Sequence, residues 1–260
     1  MKKKLYFGSN FKMYKNIAAT EEYLQSITEA TKHLQNENIQ FFFIPSFTSL
    51  ESVSRSSVRN QFMLGAQNMC WEEEGQFTGE ISPLMLKELG LDLVMVGHSE
   101  RRHTFGEDDY TENKKVLKGL EHGFTVLLAV GETAQEKEYG ISKEVLCTQL
   151  KIGLHGVNKD QINKIWIAYE PVWSIGVNGI PAPVEYAEKM HKTIKDCLVE
   201  MFGDEGYEIP VLYGGSVNPD NSNALIVQPD IDGLFTTRTA FQVEKFAKLI
   251  SEAIEACNDK

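Results

Sequence analysis

No stretch of this chain is apolar for the roughly 18 residues that a membrane-spanning helix needs, so a helical membrane protein is excluded. Met1-Lys2-Lys3-Lys4 runs straight into Leu5-Tyr6-Phe7 without the long apolar segment and cleavage site of a secretory signal, which sets the expectation of a cytoplasmic protein with no membrane partner. Cysteine is scarce: Cys70, Cys147, Cys197 and Cys257 lie far apart with no C-x-x-C pair, arguing for reduced thiols and against a zinc site or a disulfide framework. A basic excess is missing too. The formal net charge of −11 argues against a nucleic-acid partner, while leaving room for a local cationic pocket that takes an anionic metabolite. Linkers, repeats and low-complexity tracts are also lacking, and the 260 residues, 42% of them hydrophobic, suffice for a substantial core in a single domain, residues 1–260.

What is present is an alternation. Short β-rich runs at Leu5–Phe11, Phe41–Pro45, Met63–Asn68, Leu93–His98, Phe124–Val130, Ile165–Glu170, Val211–Ser216 and Gly233–Thr237 alternate with helical patterns such as Thr20–Leu34, Tyr110–His122, Lys143–Leu154, Val184–Met201 and Phe241–Ala256. Pro83, Pro183 and Pro219 suit helix starts. Eight βα units in about 250 residues is the arithmetic of an α/β (β/α)8 barrel, whereas a doubly wound sheet more often stops at five or six strands.

The polar residues at the C-terminal tips of such strands share one mouth. The sixth strand, Ile165-Trp166-Ile167-Ala168-Tyr169, ends on the carboxylate Glu170, and Pro171 biases that residue toward extended backbone. A helix-entry glutamate fits the same spot. The following Val172-Trp173-Ser174-Ile175 is too apolar for an ordinary surface loop and leads into Gly176-Val177-Asn178-Gly179, which can bend, and then Ile180-Pro181. Together these read as a lid beside a base: closure would strip water from the carboxylate and make it a stronger proton acceptor. The first strand offers Asn10 and Lys12, on one side by their spacing, and a lysine in a barrel mouth suggests an anion, although a solvated lysine is the commoner fate. The fourth ends in Gly97-His98-Ser99-Glu100-Arg101-Arg102, placing His98 at the start of a turn that can become helical, where the positive end of a helix dipole favours a neutral imidazole able to donate to a carbonyl. Gly214-Gly215-Ser216 after the seventh strand allows backbone N–H groups to approach a phosphate.

These motifs are similar to those of the triosephosphate isomerase family through nearly the whole chain. The resemblance rests on Ser9-Asn10-Phe11-Lys12-Met13, Gly65-Ala66-Gln67-Asn68, Phe77-Thr78-Gly79-Glu80, Val96–Arg102, Ala168–Trp173 with Ile175-Gly176, and Tyr213–Val217. It implies the (β/α)8 TIM barrel and an aldose–ketose or ketose–ketose phosphate isomerase working through an enediol, with triose phosphates of glycolysis and gluconeogenesis as the first substrates to consider. The same chemistry on a four-carbon ketose phosphate such as L-erythrulose 1-phosphate is the alternative, and a noncatalytic phosphosugar-binding protein a third reading. By the resemblance, Glu170 moves the proton, His98 polarises oxygen, Lys12 balances substrate charge, and Asn10, Ser99 and Glu100 support them. Backbone N–H groups of Gly176, Ser216 and the Thr237-Arg238 turn meet the phosphate, no metal or organic cofactor is implied, and Thr78 enters the partner subunit of a homodimer.

Three departures from the family pattern surround this site. Thr237-Arg238 stands where two glycines are typical, so that Arg238 either adds a charged contact to the phosphate or points to solvent. Pro181 lacks the N–H that in the family meets the tyrosine matching Tyr213, so this chain is expected to lose that bond. Phe235 and Tyr14 replace a usual leucine and asparagine, which suggests a reshaped pocket.

Overall fold

The computed structural model describes residues 3–176 and 179–258. Two of the lid positions named above, Val177 and Asn178, lie outside the described residues. The elements follow in the order β1 (Leu5–Asn10), α1 (Ile17–Thr31), β2 (Ile39–Ile44), α2 (Phe47–Ser54), β3 (Met63–Ala66), α3 (Pro83–Glu88), β4 (Leu93–Val96), α4 (Ser99–His103), α5 (Asp109–Glu121) and β5 (Thr125–Val130). The second half adds α6 (Ala134–Glu138), α7 (Ser142–Gly153), β6 (Ile165–Tyr169), α8 (Val184–Phe202), β7 (Val211–Tyr213), α9 (Ser222–Ile226), β8 (Gly233–Phe235) and α10 (Val243–Asn258). All eight expected strands form. They pair in parallel in sequence order, and β8 returns to β1 through Tyr6 opposite Gly233, closing the barrel.

Strand alternation sorts the apolar residues into two layers. Tyr6, Phe42, Ile44, Leu93, Met95, Leu127, Ala129, Trp166, Ala168, Leu212 and Phe235 fill the interior, while Phe7, Phe43, Val94, Val126, Leu128, Ile165 and Ile167 meet the helices. The interior is crowded enough to need a glycine: a Cβ on Gly8 would lie 2.4 Å from the Phe42 ring. Helix starts follow local chemistry. Asn16 accepts the Ala19 N–H at 2.9 Å, Asp108 accepts the Thr111 N–H at 2.8 Å, and Thr133 with Glu136 forms a reciprocal cap on α6. Pro83 occupies the first turn of α3, and Pro183 immediately precedes α8.

Most strands stop short of their expected ends. β7 ends at Tyr213 and β8 at Phe235, so Ser216, Thr237 and Arg238 belong to loops; likewise His98 and Glu170 fall just past β4 and β6. The residues that leave the ladder are the ones that build the mouth.

Candidate active site

A cavity of about 210 Å³ opens at this mouth. Asn10, Lys12, His98, Glu100, Glu170, Gly176, Ser216, Thr237 and Arg238 line it, together with Tyr14, Ser174, Ile175 and Phe235. Elements distant in sequence thus deliver the expected residues to one space.

Glu170 is 3% exposed, and its Oε1 lies 3.5 Å from His98 Nε2 while its Oε2 faces the Ser99 N–H at 3.4 Å. Both contacts are long. The carboxylate is positioned without being locked by a short hydrogen bond. Room for it comes from Gly214, where a Cβ would sit 2.8 Å from Glu170 Cγ. His98 caps α4, and its Nδ1 accepts the Glu100 N–H at 3.2 Å. A ring nitrogen that accepts carries no hydrogen, so the neutral imidazole's proton is on Nε2, the nitrogen that faces the carboxylate. Ser99 Oγ is buried without a hydrogen-bond partner among the described residues.

Lys12 adopts φ +49°, the only positive value among the described non-glycine residues. The strained turn is held from three sides: Asn10 Oδ1 accepts the Lys12 N–H at 2.8 Å, and Gln67 Nε2 donates both to Asn10 Oδ1 at 3.1 Å and to the Lys12 carbonyl at 2.8 Å. The side chain then runs to Glu100 Oε1, 2.6 Å away. Ammonium, imidazole and carboxylate therefore face the same cavity, an arrangement that can remove a proton beside a carbonyl while holding charge on its oxygen.

The lid begins as one turn of 3-10 helix, Val172–Ser174, after Pro171. Its indole is anchored by a residue the sequence reading passed over. Glu132, fully buried after β5, accepts from Trp173 Nε1 at 2.8 Å, from Tyr186 Oη at 2.8 Å and from Tyr169 Oη at 3.1 Å. Burial, reinforced by this carboxylate, pushes the Tyr169 phenol well above its ordinary value and that of Tyr186 up to about 12, so both stay protonated donors. Lys137 Nζ lies 3.4 Å from the centre of the Trp173 ring. A carboxylate directly after an apolar strand, in Gly131-Glu132-Thr133, is the same signal that marked Glu170. Farther along, the Gly179 N–H reaches the Gly176 carbonyl at 3.3 Å and the Ile180 N–H reaches that of Trp173 at 3.3 Å.

Pro181 offers no N–H, and the Tyr213 hydroxyl lies 3.5 Å from Ser174 Oγ. At the phosphate turn, Ser216 N–H meets Ser174 Oγ at 3.1 Å, while the Thr237 and Arg238 N–H groups have no acceptor among the described residues. The Arg238 side chain is exposed at the cavity rim and makes no ion pair among the described residues. Tyr14 stacks edge-on to Phe241 at 5.2 Å beside it. Thr78 is exposed, in the loop that follows β3.

A parallel barrel with a buried carboxylate, an imidazole and an ammonium gathered at its C-terminal mouth defines the class: a barrel enzyme with acid–base groups at the end where such folds place their active sites. Comparison with other proteins narrows it. The family model for triosephosphate isomerase matches residues 5–253, and the chain belongs to that family of sugar-phosphate isomerases. It is 44% identical to an L-erythrulose-1-phosphate isomerase of Rhizobium etli, over 97% of this chain and 93% of that one. It is 41% identical to another protein of that name from Mesorhizobium japonicum, over 96% and 97%, and 39% identical to a triosephosphate isomerase of Caldanaerobacter subterraneus subsp. tengcongensis, over 94% and 97%. No helix among the described residues is long and apolar enough to cross a membrane.

Proposed function

We propose that this isomerase acts on a four-carbon ketose phosphate, L-erythrulose 1-phosphate, by proton transfer through an enediolate. The observation that carries the isomerase chemistry is the Glu170 carboxylate 3.5 Å from a His98 nitrogen whose tautomer is fixed by the Glu100 N–H. Glu170 takes the proton from the carbon beside the carbonyl, the His98 Nε2–H donates to the oxygens of the enediolate, and the Lys12 ammonium offsets their charge. Returning the proton to the neighbouring carbon moves the carbonyl one position away from the phosphate-bearing end. With a hydroxymethyl group on the carbon that is deprotonated, the product is again a ketose.

The four-carbon choice is supported by the erythrulose-phosphate names of the relatives at 44% and 41% identity, and by the departures gathered around the cavity: Tyr14, Phe235, Thr237 and Arg238. Triose phosphates remain the second reading, favoured by the 39% identity to a triosephosphate isomerase and by the intact set of Lys12, His98 and Glu170. Side-by-side turnover of L-erythrulose 1-phosphate and dihydroxyacetone phosphate separates them. The expected outcome is a kcat/KM about 10- to 200-fold higher for the four-carbon substrate, the range that one small group in a pocket provides. A preference for the triose overturns the substrate assignment, and binding without turnover of either overturns the enzyme reading.

The phosphate is assigned to the Ser216 turn and the Thr237-Arg238 turn, with Gly176 approaching from the lid. A homodimer through the loop carrying Thr78 belongs to the same proposal, supported by Met13, 95% exposed directly after Lys12, and by Phe77 and Phe105, 39% and 66% exposed. Sedimentation at micromolar concentration is expected to show twice the 29.4 kDa chain mass, and a 29.4 kDa species alone would count against it.

A further inference from the structure

Ser174 makes two contacts that tie the lid to the phosphate turn. Its side chain is fully buried at the edge of the cavity, and its Oγ accepts the Ser216 N–H at 3.1 Å. The neighbouring Tyr213 Oη lies at a looser 3.5 Å. Close approach is built into the turn: a Cβ on Gly215 would lie 3.0 Å from Ser174 Oγ and 2.3 Å from Tyr213 Oη. Only a glycine there lets a lid hydroxyl reach the backbone of the turn.

An oxygen at 3.1 Å from a backbone nitrogen occupies the place an anionic oxygen would take on accepting the same hydrogen. Two oxygens cannot share it. We propose that Ser174 is an internal stand-in for one phosphate oxygen, holding the Ser216 N–H until the substrate phosphate displaces it. The residue thereby lowers the intrinsic affinity of the turn and couples phosphate arrival to release of the lid's first turn. On displacement the hydroxyl keeps Tyr213 within reach, so its own hydrogen-bonding capacity is not stranded. This rests on the assignment of phosphate to the Ser216 turn.

The coupling predicts a gain of binding on losing a hydroxyl, which a merely structural role would not produce. Ser174→Ala should tighten the dissociation constant of inorganic phosphate by about 2- to 10-fold, the worth of one neutral hydrogen bond, as read by calorimetry. Ser174→Cys, close in size but a poor acceptor, should shift it in the same direction. Ser174→Thr, which keeps the hydroxyl, should stay within about twofold of the wild type. For the substrate, KM should fall with the phosphate constant in the Ala and Cys variants while kcat does not rise. No phosphate binding by the wild-type protein overturns the phosphate site itself and this inference with it. Binding by the wild type that the Ala and Cys variants leave unchanged or weaken overturns the inference alone.

Discussion

The two ends of the barrel use the same kinds of residue to opposite effect. At the N-terminal end, the Lys195 ammonium donates to the Tyr207 and Ile209 carbonyls, each at 2.7 Å, and pairs with Asp232 Oδ2 at 2.8 Å. Asp232 in turn accepts the Val211 N–H at 2.8 Å and faces Lys3 at 3.2 Å. At the C-terminal end, Lys12 has a single anionic partner among the described residues, half-exposed Glu100, and Glu170 sits at 3.4 and 3.5 Å from its neighbours. A closed network fixes strand ends, whereas a loosely held one leaves charge available to a ligand. The distinction between stability and chemistry lies in what remains unsatisfied.

The largest test of this contrast is Lys195→Met at the closed end. Removing a 3% exposed cation strands Asp232 and two carbonyls, and breaking a buried pair costs about 3–5 kcal/mol, with the lower value expected because Lys3 still faces the carboxylate. Denaturant unfolding should show that loss, with kcat of the folded protein unchanged. A fall in kcat at full stability would erase the division between the ends.

Glu170→Asp is the counterpart at the open end. Withdrawing the carboxylate by one methylene should lower kcat about 100-fold, with a smaller effect on substrate binding and on unfolding free energy. Wild-type turnover would remove Glu170 as the base.

A smaller effect is expected at the rim. Arg238→Gly removes an exposed cation without an ion-pair partner among the described residues, so its charge is free for a ligand. Phosphorylated substrate should weaken by about 10-fold, the low end for a charged hydrogen bond, and a phosphate-free analogue far less. Equal losses for both ligands would take Arg238 out of the phosphate site.

How legible each part was follows from how local its cause is. Strand tips announce themselves: an apolar run that stops at a carboxylate, a histidine or a lysine needs only its own neighbours, and Glu170, His98 and Lys12 were visible for that reason. Glu132 carried the same local sign, but its meaning depends on β5 lying beside β6, which delivers Tyr169 and Trp173 to it. The Ser174 contact is less legible still, since it joins the lid to a turn 42 residues later. Helices such as α4 and α6, five residues each, are too short to show a 3.6-residue period.

The subtlest test concerns a buried pair of carboxyls, Glu107 and Glu112. Glu112, on α5, is fully buried, and no N–H or O–H donor among the described residues reaches either of its oxygens. Burial pushes its carboxyl up from 4.5 to about 8, with the Glu107 charge adding and Lys115 and Arg102 opposing. Glu107 goes the other way: burial alone would raise it, but bonds from Arg101 and Lys115 prevail and hold it at about 2. The arrangement is a proton retained on Glu112 and offered to an ionised Glu107. Since the folded protein keeps a proton that the unfolded chain sheds near 4.5, the contribution of Glu112 to stability is full below that pH. It is lost as pH rises toward about 8. Glu107 contributes in the opposite sense, its stabilisation disappearing as pH falls from 4.5 toward about 2. Glu112→Gln keeps a donor for Glu107 and cannot ionise, so it should abolish the first decline. Melting temperatures of the two proteins should coincide near pH 4.5 and diverge in favour of the variant, by about 5 °C at pH 8, with kcat at neutral pH unchanged. Parallel melting curves from pH 5 to 8 would mean that Glu112 ionises in its ordinary range, and that this buried carboxyl is as well satisfied as Asp232.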